Sequence, residues 1–249
     1  MQVIGMMPLR GGSKSIPDKN MKEFRGESLF IWNLTTLVRS NICDYVFIDS
    51  DIPDFHELIK GRLPGVMWYE NRNEWAHIDT CTTIELVNNF IDAVNMKDDD
   101  VFILTQATSP YLREIDCERA WWMVVPNGFD SVMTAGRLKR WLWHDNGLPM
   151  NRAKDKHVRR QDWEGTLIQN GCLYCTTAGM IRKTGMMWGG KLGFIEQPYW
   201  FELDEPQDWE LGEKLLGPPP ANTAAEEIEN LYKERGWDVI KPWPEKIST

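Results

Sequence analysis

Leu9-Arg10-Gly11-Gly12-Ser13-Lys14-Ser15-Ile16-Pro17-Asp18-Lys19-Asn20 follows directly on an apolar run, Gln2 to Met7, that reads as a buried strand. A glycine-rich turn leaving a strand exposes backbone N–H groups. Arg10, Lys14 and Lys19 set three cations around that turn, and Asn20 adds an amide. A polyanion such as a nucleoside triphosphate needs such a cradle. The four residues Gly11 to Lys14 taken alone would serve equally as a tight surface turn with solvated charges. The segment lacks both G-x-x-x-x-G-K-[ST] and G-x-G-x-x-G, so it is neither a Walker A loop nor a dinucleotide fingerprint.

Outward from this loop, strand and helix patterns alternate, which predicts an α/β fold around a largely parallel sheet. Expected strands are 2–7, 45–49, 66–69, 101–104, 130–135, 173–176, 192–196 and 200–204. Expected helices are 28–39, 54–60, 80–94, 115–125, 206–216 and 223–235. Residues 137–168 read as irregular, basic and Trp-containing, and Gly217-Pro218-Pro219-Pro220 as a stop or linker before a C-terminal helix and tail. The expected organisation is one domain over 1–216, with an insert at about 137–168, and an appendage over 217–249.

The chain has 249 residues, 42% hydrophobic and 26% charged, ample for a large core. No apolar run approaches the ~20 residues of a membrane span, and no basic stretch with an apolar run opens the chain. A cytosolic location is the expectation. The net charge of −9 argues against a general nucleic-acid binder. Against that background Arg137 to Arg160 carries eight Lys and Arg but only two acids. Such a stretch suits an anionic ligand, an intersubunit contact or a solvated loop. Trp141 and Trp143 would share one face of a strand, as a dimer contact or a hydrophobic underside would need. The five Cys are odd in number and scattered, so no disulfide framework is expected. Cys172-x-x-Cys175 has no second pair to complete a zinc site and lies in an expected strand, where the two thiols would point to opposite faces.

Five polar clusters fall near strand ends, where ligands bind in open α/β sheets. The first is the Arg10–Asn20 loop. The second, Gln106-Ala107-Thr108-Ser109-Pro110, offers an amide that can read a base edge or a sugar acid, or simply cap a turn. In the third, Arg72 precedes Asp79-Thr80-x-x-Thr83, with Asp79 as expected N-cap of a helix whose free N–H groups favour an anion. The fourth joins Arg159-Arg160-Gln161-Asp162-Trp163 to Gln169-Asn170-Gly171, where Asn-Gly reads as a turn. In the fifth, Phe201-Glu202-Leu203-Asp204-Glu205-Pro206, an extended backbone would project Glu202 and Asp204 together. Paired carboxylates facing a triphosphate suit Mg²⁺. Asp204 or Glu205 would equally cap the helix entered through Pro206.

These clusters, in this order and spacing, resemble the CMP-sialic acid synthetase family, the cytidylyltransferases that activate sialic acid and related nine-carbon keto-sugar acids. The matching pieces are R-G-G-S-K-S-I-P-D-K-N, R-x6-D-T, Q-A-T-S-P, R-R-Q-D-W-E, Q-N-G and E-L-D-E-P-x-D-W, spread over residues 2–216. The resemblance implies a Rossmann-like nucleotide-diphospho-sugar transferase fold: a mixed, mostly parallel sheet between helices, with a small inserted dimerisation subdomain. It implies a homodimer whose insert reaches into the partner's site. Arg10, Gly11, Gly12, Ser13, Lys14, Asn20, Arg72 and Thr83 would bind the nucleotide, with Arg10, Lys14 and Asp204 as catalytic groups. Gln106, Thr108, Ser109, Lys139, Arg140, Arg159, Arg160, Gln161 and Asn170 would bind the acidic sugar, and Glu202 and Asp204 would hold Mg²⁺. The implied reaction transfers CMP from CTP to the sugar acid. A nucleotidyltransferase for an eight-carbon keto-sugar acid or a phosphonate, and a non-catalytic nucleotide or sugar binder, are the alternatives. The chain departs from the family pattern at Ser15 (usually Gly), Ala107 (commonly Pro), Tyr111 (an added residue) and Glu202 (usually Asp).

Overall fold

The computed structural model describes residues 1–52, 55, 59, 63, 65–69, 81–151 and 159–217. Nine strands and five helices are assigned among them. The strands are β1 (Val3–Leu9), β2 (Glu23–Phe24), β3 (Glu27–Ser28), β4 (Tyr45–Ser50), β5 (Val66–Tyr69), β6 (Val101–Thr105), β7 (Ser131–Leu138), β8 (Thr166–Thr177) and β9 (Leu192–Gln197). The helices are α1 (Leu29–Ser40), α2 (Thr83–Ala93), α3 (Glu114–Val124), α4 (Ala178–Thr184) and α5 (Pro206–Leu215).

Seven strands form one sheet in the order β5-β4-β1-β6-β8-β7-β9. All neighbouring pairs are parallel except β6–β8 and β8–β7, so β8 alone runs against the rest. This is the largely parallel sheet expected from the alternating pattern, and it is mixed as the resemblance implies. Its inner strands are apolar nearly throughout because helices cover both faces. One core layer packs Leu34, Leu37, Cys117 and Ala120, from α1 and α3, beneath the sheet. The other packs Val87, Phe90, Ala178 and Ile181, from α2 and α4, above it.

The sheet opens at its carboxyl end. β1 pairs with β4 as far as Leu9–Ser50, but its pairing with β6 stops at Met6–Leu104. Pro8 falls beyond that point and has no N–H to continue a ladder. The chain therefore leaves β1 and β6 separately, and a crevice lies between their ends.

Several expectations are corrected by this packing. Cys172 and Cys175 do not lie on opposite faces: both are buried in the layer under α1 and α3. The cause is a register shift in the β7–β8 ladder, where Met133 pairs with Tyr174 but Ala135 with Gln169. Asn170-Gly171 is thus an irregularity within one continuous strand, not a turn. Thr134 fills it, its hydroxyl accepting the Leu173 N–H at 2.9 Å. Residues 200–204 are not a strand. The helix expected from residue 80 begins at Thr83, capped by Thr82 in a reciprocal box with Glu85. The expected cap Asp79 lies outside the described residues, as do the helices placed at 54–60 (apart from isolated residues) and 223–235 and the appendage beyond Gly217.

The insert is narrower than 137–168. Residues 137–138 and 166–168 belong to β7 and β8, so the arm between these strands lies within 139–165, of which 139–151 and 159–165 are described. Trp141 and Trp163 stack at 4.1 Å across its base, and Trp143 is exposed.

Candidate active site

A cleft of about 510 Å³ lies over the carboxyl ends of β1, β4 and β6. Arg10, Gly11, Ser13, Lys14, Lys19 and Asn20 form one wall, Asp49 and Asp51 the floor beside β4, and Thr83, Gln106 and Thr108 the far side. Residues expected to bind nucleotide and residues expected to bind sugar thus converge from clusters far apart in the chain.

The β1 loop is held by its own polar groups. Asn20 Nδ2 donates to the Arg10 carbonyl at 3.0 Å, closing the loop, and Ile16 is buried beneath it. Gly12 sits at φ 70°, a left-handed conformation that favours glycine. The Gly11 N–H is not exposed as expected: it donates to Asp51 Oδ1 at 2.6 Å. Asp51 thereby fixes the turn, and Gly11 contributes shape rather than a donor.

The segment after β9 closes the opposite rim. Leu203 N donates to the Thr108 carbonyl at 2.7 Å, and Thr108 Oγ1 donates to Glu202 Oε2 at 3.1 Å. Lys19 Nζ meets Asp204 Oδ1 at 2.8 Å, the lysine side chain being 14% and the aspartate 58% exposed. Ser15 Oγ donates to Glu205 Oε1 at 2.9 Å. Glu205, not Asp204, caps α5, with Asp208 returning the bond and Pro206 at its first turn. The Asp204 carboxylate is therefore spared capping.

Glu202 and Asp204 are close enough that the Asp204 charge, after burial, helps push the Glu202 carboxyl above its usual range. The oxygens gathered here are two carboxylates and the Gln106 amide. Gln106 Oε1 and Glu202 Oε2 each lie 2.6 Å from the point a Cβ on Gly171 would occupy. An oxygen-only donor set fits a hard cation such as Mg²⁺, which takes one or two carboxylates and fills its sphere from phosphate and water. Among the described residues, no group of three or more His, Cys, Asp or Glu is placed to hold a metal ion by itself. Two carboxylates beside a bound triphosphate would suit Mg²⁺, which does not need an all-protein cage.

The Glu202 shift has a measurable consequence. A carboxyl raised in the folded state stabilises the fold fully below the ordinary glutamate value, and that contribution is lost as pH rises through the raised value. In metal-free protein, Glu202→Gln should raise the melting temperature near pH 8. The gain should vanish as pH falls into the carboxylate range. A melting curve in chelator at both pH values checks this; no gain at pH 8 would refute the burial cause.

Not every expected residue faces the cleft. Ser109 and Asn170 are fully buried. Ser109 Oγ donates to the Asn170 carbonyl at 2.6 Å, and Asn170 Nδ2 donates to Gln197 Oε1 at 2.8 Å and the Tyr199 carbonyl at 2.9 Å. Both are braces under the site, not open ligands. Lys139, Arg140 and Arg160 line a different cavity of about 610 Å³, with Arg137, Leu138, Leu142 and Trp200, that shares no residue with the first. Arg159 pairs with Asp162 at 2.5 Å on the exposed turn that also carries Gln161. Within one chain these sugar-binding candidates are not brought to the nucleotide cleft. Arg72 lies outside the described residues.

Asp49 and Asp51 in the cleft, and Asn33 buried behind it, are residues that the motifs do not reveal. Asn33 is 1% exposed on α1. Its Nδ2 donates to the carbonyls of Gln106 and Ser109, each at 2.7 Å, and its Oδ1 accepts the Leu112 N–H at 3.2 Å. Left unpaired, such buried groups would cost about 1–3 kcal/mol each. The available signal is an amide set in the apolar run Leu29 to Leu34.

Residues 4–170 match the family model described as Cytidylyltransferase. N-acylneuraminate cytidylyltransferase A of Danio rerio is 29% identical over 216 residues, covering 83% of this chain and 49% of that protein. CMP-N,N'-diacetyllegionaminic acid synthase of Legionella pneumophila is 22% identical over 242 residues, covering 87% and 97%. The chain spans about half the length of the first of these relatives. A solved CMP:2-keto-3-deoxy-manno-octonic acid synthetase complexed with CTP shares the fold, with a TM-score of 0.62 at 13% identity over 86% of this chain and 98% of that one. With a matching family model over two thirds of its length and a cleft that brings the Arg10–Asn20 loop and the Gln106–Thr108 segment together at the carboxyl ends of β1, β4 and β6, the chain belongs to the cytidylyltransferase family.

Proposed function

We propose that this protein transfers CMP from CTP to the anomeric hydroxyl of a nine-carbon 2-keto sugar acid of the sialic acid type, releasing pyrophosphate. The observation that carries the reading is the meeting of the cationic β1 loop with Gln106 across one cleft, with Asp204 and Glu202 bonded to Lys19 and Thr108 of its lining. The activities named for the relatives point the same way.

In this reading the hydroxyl oxygen attacks the α-phosphorus, the bond to the bridging oxygen of the β-phosphate breaks, and pyrophosphate leaves with that electron pair. The hydroxyl proton passes to solvent. Such transfers need positioning and charge neutralisation more than covalent help. Arg10 and Lys14 neutralise the triphosphate and the departing pyrophosphate. Gln106 orients the acceptor through its amide. Glu202 and Asp204 would hold Mg²⁺, which supplies Lewis-acid charge that polarises phosphate and lowers the pKa of the attacking hydroxyl. Lys19, paired with Asp204, lines the same cleft as Arg10 and Lys14.

The reading extends to a homodimer. Trp143, Leu148 and Met150 on the arm are exposed, and the basic cavity beside them lies apart from its own chain's cleft. A second copy that receives the arm would obtain Lys139, Arg140 and Arg160 as carboxylate ligands. Apolar contacts flanked by cations suit such an interface.

The test is pyrophosphate release from CTP and Mg²⁺ with N-acetylneuraminate, legionaminate, pseudaminate, an eight-carbon keto-sugar acid and a phosphonate. Release with one nine-carbon acid, from protein that scatters light as twice the 29.0 kDa chain, is the expected result. Release only with another acceptor would overturn the substrate class. Silence from protein that binds CTP would overturn the activity.

A further inference from the structure

The loop from Gln106 to Leu112 leaves β6 without a strand partner, yet it carries the amide and hydroxyl that face the acceptor side of the cleft. Backbone groups outside a ladder need other partners when buried. Three of them, the Gln106 and Ser109 carbonyls and the Leu112 N–H, converge on one side chain, that of Asn33. A primary amide has two donors and one carbonyl, and Asn33 spends its donor nitrogen and its carbonyl on this loop. The loop in turn fastens the carboxylate segment: the Thr108 carbonyl accepts the Leu203 N–H at 2.7 Å, and the Thr108 hydroxyl donates to Glu202. Tyr111 adds a second clasp, its hydroxyl donating to the Phe201 carbonyl. Asn33 itself does not line the cleft, and its helix is otherwise packed against the core.

We infer that Asn33 is a positioning residue that sets the acceptor side of the site, holding Gln106 in register with Glu202 and Asp204 while leaving the Gly11 turn of the β1 loop alone. The inference rests on the proposed transfer reaction for its kinetic consequence but not for its structural one. The turn at Gly11 has its own fasteners, Asn20 on Arg10 and Asp51 on Gly11, and neither involves Asn33. The far end of the same loop does meet the carboxylate segment, through Ser15 on Glu205 and Lys19 on Asp204, so it is the Gly11 turn that is separable from the Asn33 brace by mutation.

Two variants test it in the full chain. Asn33→Ser is too short to bridge the three groups. Asn33→Asp keeps the volume and the acceptor for Leu112 but offers at most one donor where the amide offers two. In hydrogen exchange of the free protein, either variant should speed exchange of the Leu203 amide about tenfold or more and leave the Gly11 amide within about twofold, since local opening need not spread. With N-acetylneuraminate as acceptor, acceptor KM should rise about tenfold and kcat fall about tenfold, while CTP KM stays within about twofold, because small misplacements at the reacting atoms are costly. Equal loosening of both amides, an unchanged Leu203 amide, or a lowered melting temperature with unchanged acceptor KM would overturn the inference. A wild-type protein silent with every acid in the panel would count against the proposed reaction, and the exchange measurement would still decide the role of Asn33.

Discussion

Asp204→Ala is expected to leave the protein folded and to cut turnover at least about 100-fold, in line with losing an electrostatic stabiliser of the transferring phosphate. The fold should survive because Asp204 is 58% exposed and its carboxylate is paired with Lys19 at the rim. Exposed ion pairs contribute about 0–1 kcal/mol. Capping of α5 is carried by Glu205 and Asp208, so the helix keeps its start. What is lost is an anionic ligand at the rim and the counter-charge that aims the lysine. The check is steady-state turnover alongside a thermal melt, with Asp204→Asn as the variant that keeps shape without charge. Near-normal turnover in both would remove Asp204 from the chemistry, and with it the proposed cation site.

The second large effect is expected at Gly171. Its φ of 67° costs an alanine roughly 1–2 kcal/mol in backbone strain alone. The new methyl would also fall 2.6 Å from both Gln106 Oε1 and Glu202 Oε2, far inside contact distance. Gln106 and Glu202 must then move away from the methyl, and the amide proposed to orient the acceptor loses its register with a carboxylate. We expect Gly171→Ala to lower kcat/KM at least about 100-fold through misplacement. Gly185→Ala separates the two causes. Gly185 has φ 66° at the end of α4, and nothing lies within 4 Å of its added methyl. That variant should melt lower by a similar amount yet keep its kinetic constants. If the two variants lose activity equally, crowding at Gly171 is not the reason.

Much of this molecule is legible from residue order because the deciding patterns are local. Apolar runs such as Val101 to Leu104 suit only the inner strands of a covered sheet, and the loop from Arg10 to Asn20 must leave the end of one. The motif set points to the family without any knowledge of contacts, since residue order and spacing alone carry it. The amphipathic run in α2 is equally plain, although the helix starts later than its apolar spacing suggests: Thr82 with Glu85 makes the stronger capping pair.

Other features depend on contacts between distant segments, and no local pattern encodes them. The irregularity at Asn170–Gly171 arises because Thr134 of a neighbouring strand occupies the ladder, which turns an apparent turn into a brace. The carboxylates of 202–204 are aligned not by strand alternation, as expected, but by Thr108 and Lys19, which reach them from 94 and 185 residues away. Asn33 reads as an accident in an apolar helix until three loop groups are seen to converge on it. The residue sequence by itself determined the alternating layers, the place of the cationic loop after β1, the carboxylate pair and the family, because backbone periodicity and glycine stereochemistry act over a few residues. Only the tertiary structure decided which of those polar groups meet in the cleft, which are spent as braces, and that the basic arm stands apart from it, because burial and hydrogen-bond partnership are properties of the packed chain.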